Sequence, residues 1–287
     1  MDKETKAQPI LELPYSDRQL ILVSDDQLVQ ATEKQARLAL HEKQQGFDWK
    51  KIVEAALIDI IPLPFSRTLE ATARETIRSW GRAREEGASV LPVGKTAAQQ
   101  IDFPPGHPRD GVLYVGHPAK PSLYFTMADF HRVVFEHKFC EAIELLMSLG
   151  ATSIRVEHIS GWSKEFSARI SVPLADADDA STGEAGAKRG VSQSLLYEAN
   201  LAGVEPSLPD DLVWYHHEPT WQSIAKGRLK YGLNDFSLSV SYQDDFGINA
   251  GLKIALAKTG LDVGGKFEDH QSTVWRLEGK FRGATSA

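Results

Sequence analysis

Residues 127–172 read MADFHRVVFEHKFCEAIELLMSLGATSIRVEHISGWSKEFSARISV. In the first half, apolar side chains recur at steps of three and four, which is the pattern of a helix with one broad apolar face. Thr126 is a suitable N-cap for this helix, and Gly150 stands where a left-handed C-cap belongs. Beyond the glycine, apolar and polar residues alternate at 154–158 and again at 166–172. The stretch therefore predicts a helix followed by a β-hairpin.

Related units follow later in the chain. Residues 220–229 predict a helix that ends at a glycine, and a strand is predicted at 236–242. A third helix at 248–256 also ends before a glycine, and two strands follow it at 261–268 and 272–281. We therefore predict an α+β fold with a mostly antiparallel sheet and repeated helix-glycine-hairpin units. A weak internal duplication and the common occurrence of such units are equal explanations.

The distribution of proline, glycine and apolar residues predicts three regions. Residues 1–90 form a mainly helical N-terminal region, residues 91–110 a linker rich in proline and glycine, and residues 111–283 the α+β sheet domain. Residues 175–191 are small and acidic, which predicts a mobile loop within that domain. Residues 11–23 predict a strand pair or the entry to a strand, and further strands are predicted at residues 112–115, 194–201 and 212–216.

Composition narrows the classes of function. The 287 residues carry a net charge of −7, which argues against nonspecific nucleic-acid binding. The one cysteine, Cys140, lies in the apolar stripe of the helix described above, so we expect a core residue without disulfide bonds. The polar N-terminus resembles no signal peptide, and no apolar run approaches about 18 residues. We expect a cytoplasmic protein.

Residues 52–65 form the most apolar run of the chain and end in Pro-Leu-Pro-Phe. Such a run packs in a core or forms an amphipathic element that binds a membrane surface or a partner peripherally. The aromatic cluster around residues 214–221 leaves the same alternatives open, core packing or a ligand or partner surface. The residues predicted to bind a partner or membrane are Ile58, Ile61, Leu63, Phe65, Trp214 and Trp221.

Nine histidines raise the question of a metal site. His131 and His137 share the predicted helix, but six residues place them on different faces, unlike the two histidines of an HExxH site. We expect a buried structural role for His137, and the two Gly-His-Pro turns at 106–108 and 116–118 read as loops. If a polar site exists, its predicted members are His117, His131, Glu136 and His158. No catalytic residue, metal or cofactor is predicted.

Two short segments resemble a phosphate-binding loop and are rejected. Residues 260–266 have the Walker spacing, but Phe267 stands in place of the Ser or Thr that holds magnesium. The segment Gly94-Lys95-Thr96 lacks the first glycine, because Ser89 occupies its position.

Several blocks carry a resemblance to known proteins. The closing blocks GGKFE at 264–268 and STVWRLEGKF at 272–281 resemble the C-terminal end of a group of uncharacterised bacterial proteins. The blocks VGHP at 115–118, FH at 130–131 and FEHK at 135–138 are similar to the middle of the same group. The group is associated with infection-sensing components of two-gene anti-phage defence systems. This resemblance implies a non-enzymatic sensor that recruits a separate effector.

Three functions are compatible with these patterns. We favour a non-enzymatic bacterial sensor or adaptor that binds a protein effector or a membrane-like surface. The first alternative is a pore-forming protein whose amphipathic segments enter a membrane. The second is a metal-dependent hydrolase that uses a histidine cluster.

Overall fold

The computed structural model describes residues 10–30, 78–79, 81–83, 89–161, 195–243, 246–248, 252, 254, 256, 258, 260–266 and 272–283. The chain divides into two compact units. Unit 1 comprises Met1–Val133 and Phe246–Asp269, and unit 2 comprises Val134–Asp245 and His270–Ala287. The predicted α+β class is confirmed, with helices and two mostly antiparallel sheets in place of one.

Unit 1 is built on a mixed four-stranded sheet. Its strands are β1 (Leu20–Ser24), β2 (Val90–Gly94), β3 (Leu113–Gly116) and β4 (Tyr124–Thr126), in the order β2-β1-β3-β4. β1 is parallel to β2 and antiparallel to β3, and β3 is antiparallel to β4. Short helices precede β1 and follow β2, namely α1 (Tyr15–Arg18) and α2 (Lys95–Ala98). The core contains Ile10, Ile21, Val23, Val93, Ala98, Ile101, Val112, Tyr114 and Tyr124.

The predicted linker at residues 91–110 is wrong. β2 pairs with β1 along its whole length, and Ile101 and Phe103 pack in or against the core of unit 1. Pro92 contributed to the linker prediction, but it lies in an edge strand, where the missing N–H is tolerated. The predicted domain of residues 111–283 is divided between the two units.

Of the strand pair or strand entry predicted at residues 11–23, the structure has the entry to one strand, β1. A 3₁₀ helix, Ile10–Glu12, and α1 precede β1. The buried Arg18 explains this start, because its guanidinium donates hydrogen bonds to Leu13 O and Pro121 O and so fixes the chain before the strand.

Unit 2 contains an antiparallel four-stranded sheet. Its strands are β5 (Ala151–Ser160), β6 (Leu195–Asn200), β7 (Asp235–Tyr242) and β8 (Thr273–Phe281), in the order β6-β5-β8-β7. Helix α3 (Phe130–Ser148) leads into β5, and α4 (Pro219–Tyr231) leads into β7. Gly150 (φ 84°) follows α3 and Gly232 (φ 68°) ends α4 in the left-handed region, which confirms the predicted helix ends.

Helix α3 begins at Phe130, three residues later than predicted. The amide of Met127 donates to Leu113 O, and the amide of Ala128 donates to Val263 O. Residues 127–129 form a turn in place of the first helical turn, and the amide of Asp129 donates to Thr126 O at 3.1 Å.

The two faces of the unit 2 sheet differ in the way its alternating sequences predict. In β8, Trp275, Leu277 and Phe281 are buried, whereas Arg276 and Lys280 are exposed. The rings of Phe135 and Phe139 on α3 contact Trp275 edge-on, with centroids 4.7 and 4.9 Å away. The helices therefore cover one face of the sheet, and this face forms the core of unit 2.

Two predicted strands are wrong within the described residues. At 212–216 the chain forms an irregular segment that leads into a 3₁₀ helix, Tyr215–His217, for a reason given below. At 261–266 a single bridge pairs Asp262 with Val112 in place of a strand. Gly264 (φ 84°) and Gly265 (φ 152°) leave the extended conformation there and end the pairing.

Cys140 is exposed, so its predicted place in the core is wrong. It lies between Glu136 and Glu144 at steps of four residues, which places the thiol on the polar stripe of α3. Partial burial and these two carboxylates raise the pKa of the Cys140 thiol.

No helix in the described part of the chain is both long and apolar enough to cross a membrane.

Candidate functional site

The four residues predicted as a possible polar site are divided between the two units. His117 and His131 belong to unit 1, whereas Glu136 and His158 belong to unit 2. Among the described residues, no group of three His, Cys, Asp or Glu side chains could hold a metal ion.

Each of the three histidines binds backbone groups. Nδ1 of His117 accepts hydrogen bonds from the amides of Ala119 and Lys120, at 3.1 and 2.9 Å. Nε2 of the buried His131 donates to Ile248 O, and Nε2 of His158 lies 3.2 Å from Gly161 O. These contacts hold loops in place.

The tryptophans predicted to bind a partner are buried. Trp221 has no exposed surface, and Trp214 is 8% exposed. The indole Nε1–H of Trp214 donates to Nδ1 of His137 at 2.8 Å, as expected for a structural role of this histidine. Burial favours the core-packing alternative for both tryptophans over a partner surface.

Several predictions lie outside the described residues. They are the predicted second hairpin strand at 166–172, the predicted loop at 175–191, and the other predicted partner-binding residues, Ile58, Ile61, Leu63 and Phe65.

The buried carboxylate of Glu141 explains why residues 212–216 do not form a strand. Its Oε2 accepts the amide of Val213 at 2.9 Å, and its Oε1 accepts the amide of Tyr215 at 2.8 Å. In a strand, every second amide would donate to a neighbouring strand. Here, the Glu141 side chain on α3 accepts two such amides instead. The segment is held on α3 by this carboxylate.

Replacing Glu141 with glutamine is expected to destabilise unit 2 by about 2 kcal/mol, because the amide NH₂ would face a backbone N–H in a buried position. Glu144→Gln makes the same change three residues later on the exposed side of α3 and is expected to cost almost nothing. Chemical denaturation of both variants tests the difference. Equal stabilities would show that the Glu141 contacts do not hold the segment.

Lys138 forms a second buried attachment in unit 2. Its Nζ lies 2.5 Å from Oε1 of Glu218, donates to Ser241 O at 2.8 Å, and lies 5.5 Å from the ring centre of Trp214. Because these groups satisfy the ammonium, the cluster is structural and offers no reactive group to a substrate.

The Gly94-Lys95-Thr96 segment is also occupied from within. It follows β2 and begins α2, which is the strand-loop-helix order of a phosphate loop. The amide and the hydroxyl of Thr96 both donate to the Asp26 carboxylate, at 3.1 and 2.8 Å, and Nζ of Lys95 pairs with Asp110 at 2.7 Å. A carboxylate of the chain binds the donors that a phosphate would need, which agrees with the rejection of this motif.

The outer face of the unit 2 sheet carries charged side chains on all four strands. We define the charged face as the outward side chains of its four strands that carry a charge: Arg155, Glu157, Glu198, Asp235, Arg276, Glu278 and Lys280. All seven are exposed or half-buried.

Strand register gives the charged face its pattern. Arg155 lies directly opposite Glu198 on one side and Glu278 on the other. Arg276 lies opposite Glu157, and Lys280 lies opposite Asp235. Every directly opposed pair of charges therefore has opposite signs, and the signs also alternate along β5 and β8. The result is an array of alternating charges.

Only part of this charge is neutralised internally. Nε of Arg155 lies 3.1 Å from Oε1 of Glu157, and Nε of Arg276 lies 3.9 Å from Oε1 of Glu278. The Arg155, Arg276 and Glu278 side chains stay 44–45% exposed in these pairs. Such exposed pairs contribute little to stability, so their charges can exchange partners at low cost.

Three further charges of the face have no ion pair in the part of the chain that the structure describes, namely Glu198, Asp235 and Lys280. Small side chains flank the array, because the outward residues of β7 include Ser237, Ser239 and Ser241. A partner surface can therefore approach the backbone of β7 closely and reach the charges of β8 beside it.

Sequence reasoning missed the charged face, although the alternation in β8 was visible. The missing information was the pairing of β5 with β8, which brings Arg155 and Glu157 beside Glu278 and Arg276.

No protein-family model matches this sequence, and neither a curated protein nor a solved structure shows significant similarity to it.

Proposed function

We propose that the protein is a non-enzymatic bacterial sensor or adaptor that binds a protein effector through the charged face of unit 2. The observation that carries the proposal is the array of alternating charges on an exposed sheet surface. A protein partner with a complementary pattern of carboxylates and cations fits this array. The resemblance to infection-sensing components of anti-phage defence systems supports the same role.

The sign balance of the face supports a protein partner over a nucleic acid. It carries three basic and four acidic side chains, and the whole chain has a net charge of −7. Phosphate backbones need a basic surface, whereas protein interfaces use both signs to set register and partner choice.

The proposal places the protein in the cytoplasm, with residues 52–65 as an additional peripheral contact to lipid. The pore-forming and metal-hydrolase alternatives stay predictions, and dye release from vesicles and metal analysis of the purified protein test them.

Charge reversal on the face tests the proposal. The double variant Arg155→Glu, Arg276→Glu is expected to reduce capture of the partner from the native host at least about tenfold, with or without phage challenge. Lys226→Glu introduces the same change of sign per residue at an exposed position of α4, away from the sheet surface, and serves as the matched control. Each captured protein is then purified and titrated against wild type and variants at low and high salt.

Three results are informative. Loss of binding in the double variant alone, together with weaker binding of wild type at high salt, supports the proposal. Equal binding by wild type and the double variant overturns it. Conversion of a wild-type dimer to a monomer by the double variant would identify a second copy as the occupant of the face and would also overturn the adaptor role.

A further inference from the structure

The loop at residues 104–111 of unit 1, with sequence PPGHPRDG, has a defined attachment at each end. Near its start, the amide of His107 donates to Pro104 O at 3.1 Å and closes a turn, with Gly106 at φ 81°. At its end, the amide of Gly111 donates to Val23 O at 2.9 Å. The first bond orders the start of the loop internally, and the second attaches the end of the loop to β1.

The middle of the loop contacts β3 through one buried hydroxyl, and Asp110 of the loop also pairs with Nζ of Lys95 at 2.7 Å. Tyr114 on β3 has no exposed surface, and its oxygen accepts the amide of Arg109 at 2.8 Å. The same oxygen lies 2.7 Å from Nδ1 of the half-buried His107. Within the described residues, this nitrogen is the one hydrogen-bond acceptor within reach of the hydroxyl proton.

These contacts assign the tautomer of His107. Because the amide of Arg109 is a donor, the hydroxyl of Tyr114 must donate its proton to Nδ1, and the neutral ring carries its own proton on Nε2. Protonation of Nδ1 would reverse this bond, so the phenolic oxygen would accept from both Nδ1 and the Arg109 amide while its own proton lost the one acceptor within reach. A buried donor without an acceptor is costly, and it is relieved when the loop residues that donate to the oxygen, His107 and Arg109, move away from it.

The surrounding charges favour the neutral ring at pH 7. Burial is the largest influence that lowers the pKa of His107, and the guanidinium of Arg109 lowers it further. Asp129, before α3, opposes this shift, but its carboxylate is bound by Arg132 and by the Thr126 hydroxyl. Burial also raises the pKa of Tyr114, so the phenol keeps its proton. Among the charged groups, Arg109 lowers the pKa of Tyr114, whereas Asp262 and Asp110 in the loop raise it.

We propose that His107 and Tyr114 form an acid-released latch: the loop at residues 104–111 is closed on β3 while His107 is neutral and opens when Nδ1 is protonated. The latch is independent of the charged face, and it couples the conformation of an exposed loop to pH. Because the folded protein disfavours the charged ring, latch closure is complete above the ordinary pKa of histidine and is lost as the pH falls below it.

The amide of Arg109 reports the latch directly, because it donates to the Tyr114 oxygen. Hydrogen exchange at this amide, corrected for the intrinsic pH dependence, is expected to rise about tenfold between pH 7.5 and pH 5.0 in the full-length protein, as for the loss of one hydrogen bond. The amide of Gly111, which donates to Val23 O, is the internal control and is expected to keep its protection.

Two variants separate the latch from general acid instability. His107→Asn keeps an acceptor near the position of Nδ1 but does not titrate, so exchange at Arg109 is expected to lose its pH dependence. Tyr114→Phe removes the shared oxygen, so Arg109 is expected to exchange rapidly at both pH values and His107 to titrate closer to its ordinary pKa by NMR.

The wild-type measurement alone can overturn the proposal. If NMR shows His107 protonated while Arg109 remains as protected as at pH 7.5, the latch does not exist. An equal rise at Arg109 and Gly111, or an unchanged pH dependence in His107→Asn, would also contradict it.

Discussion

Replacing Gly279 with alanine is expected to destabilise unit 2 by about 3 kcal/mol, through overpacking at the centre of its sheet. A Cβ atom at this position would lie 1.9 Å from Ser153 O on β5 and 2.6 Å from Cζ of Phe236 on β7. The backbone of Gly279 is not left-handed, so the expected effect comes from space alone. β8 would have to move away from both neighbours to accommodate one methyl group.

Gly283→Ala is the matched control. It lies four residues further along the chain, and a Cβ there would meet no atom within 4 Å. Differential scanning calorimetry is expected to show a lower melting temperature for Gly279→Ala, by roughly 6–12 °C, and no clear change for Gly283→Ala. Equal melting temperatures for the two variants would mean that β5 and β8 separate at that point without cost.

Features that depend on neighbours along the chain were predictable. The alternation of Trp275 and Leu277 with Arg276 and Glu278 gave both faces of β8, because the side chains of a strand alternate whatever the strand pairs with. Gly150 and Gly232 marked the helix ends, because the left-handed conformation is a local requirement.

Features that depend on distant residues were not predictable. Residues 212–216 have the composition of a strand, but Glu141, some 70 positions earlier, takes the amides of Val213 and Tyr215. Pro92 suggested a linker, and only the parallel pairing with β1 shows that it belongs to a sheet edge. Local patterns carry no information about which partner an amide or a strand will find.

The candidate sites also depend on contacts between residues that are distant in the sequence or on burial in the fold. The charged face combines β5 and β8, which are more than 100 residues apart, so the alternation of each strand alone did not reveal the array. The contact between His107 and Tyr114 is close in sequence, but it depends on the burial of the tyrosine in the sheet. In contrast, the predicted group of His117, His131, Glu136 and His158 relied on residue type alone, and three of these side chains bind backbone instead.

Replacing Arg228 with lysine is expected to destabilise unit 2 by about 3 kcal/mol, although the positive charge is kept. The buried guanidinium donates to Leu149 O after α3, to Leu233 O after α4 and to Arg282 O after β8, at 3.1, 3.0 and 2.6 Å. Arg228 thus satisfies carbonyls at the ends of three elements at once, and it also stacks 5.1 Å from the ring centre of Phe281.

A lysine side chain donates hydrogen bonds from one nitrogen atom. It cannot reach three carbonyls that contact the guanidinium from different sides. Buried carbonyls that lose a donor carry the cost of their desolvation, which accounts for most of the expected effect. Lys230→Ala on the exposed side of α4 removes a neighbouring cation without these contacts and is expected to change stability by less than about 0.5 kcal/mol. Urea denaturation compares the two variants with wild type. A stability of Arg228→Lys within that same small range would show that the charge, and not the planar set of donors, holds the three ends together.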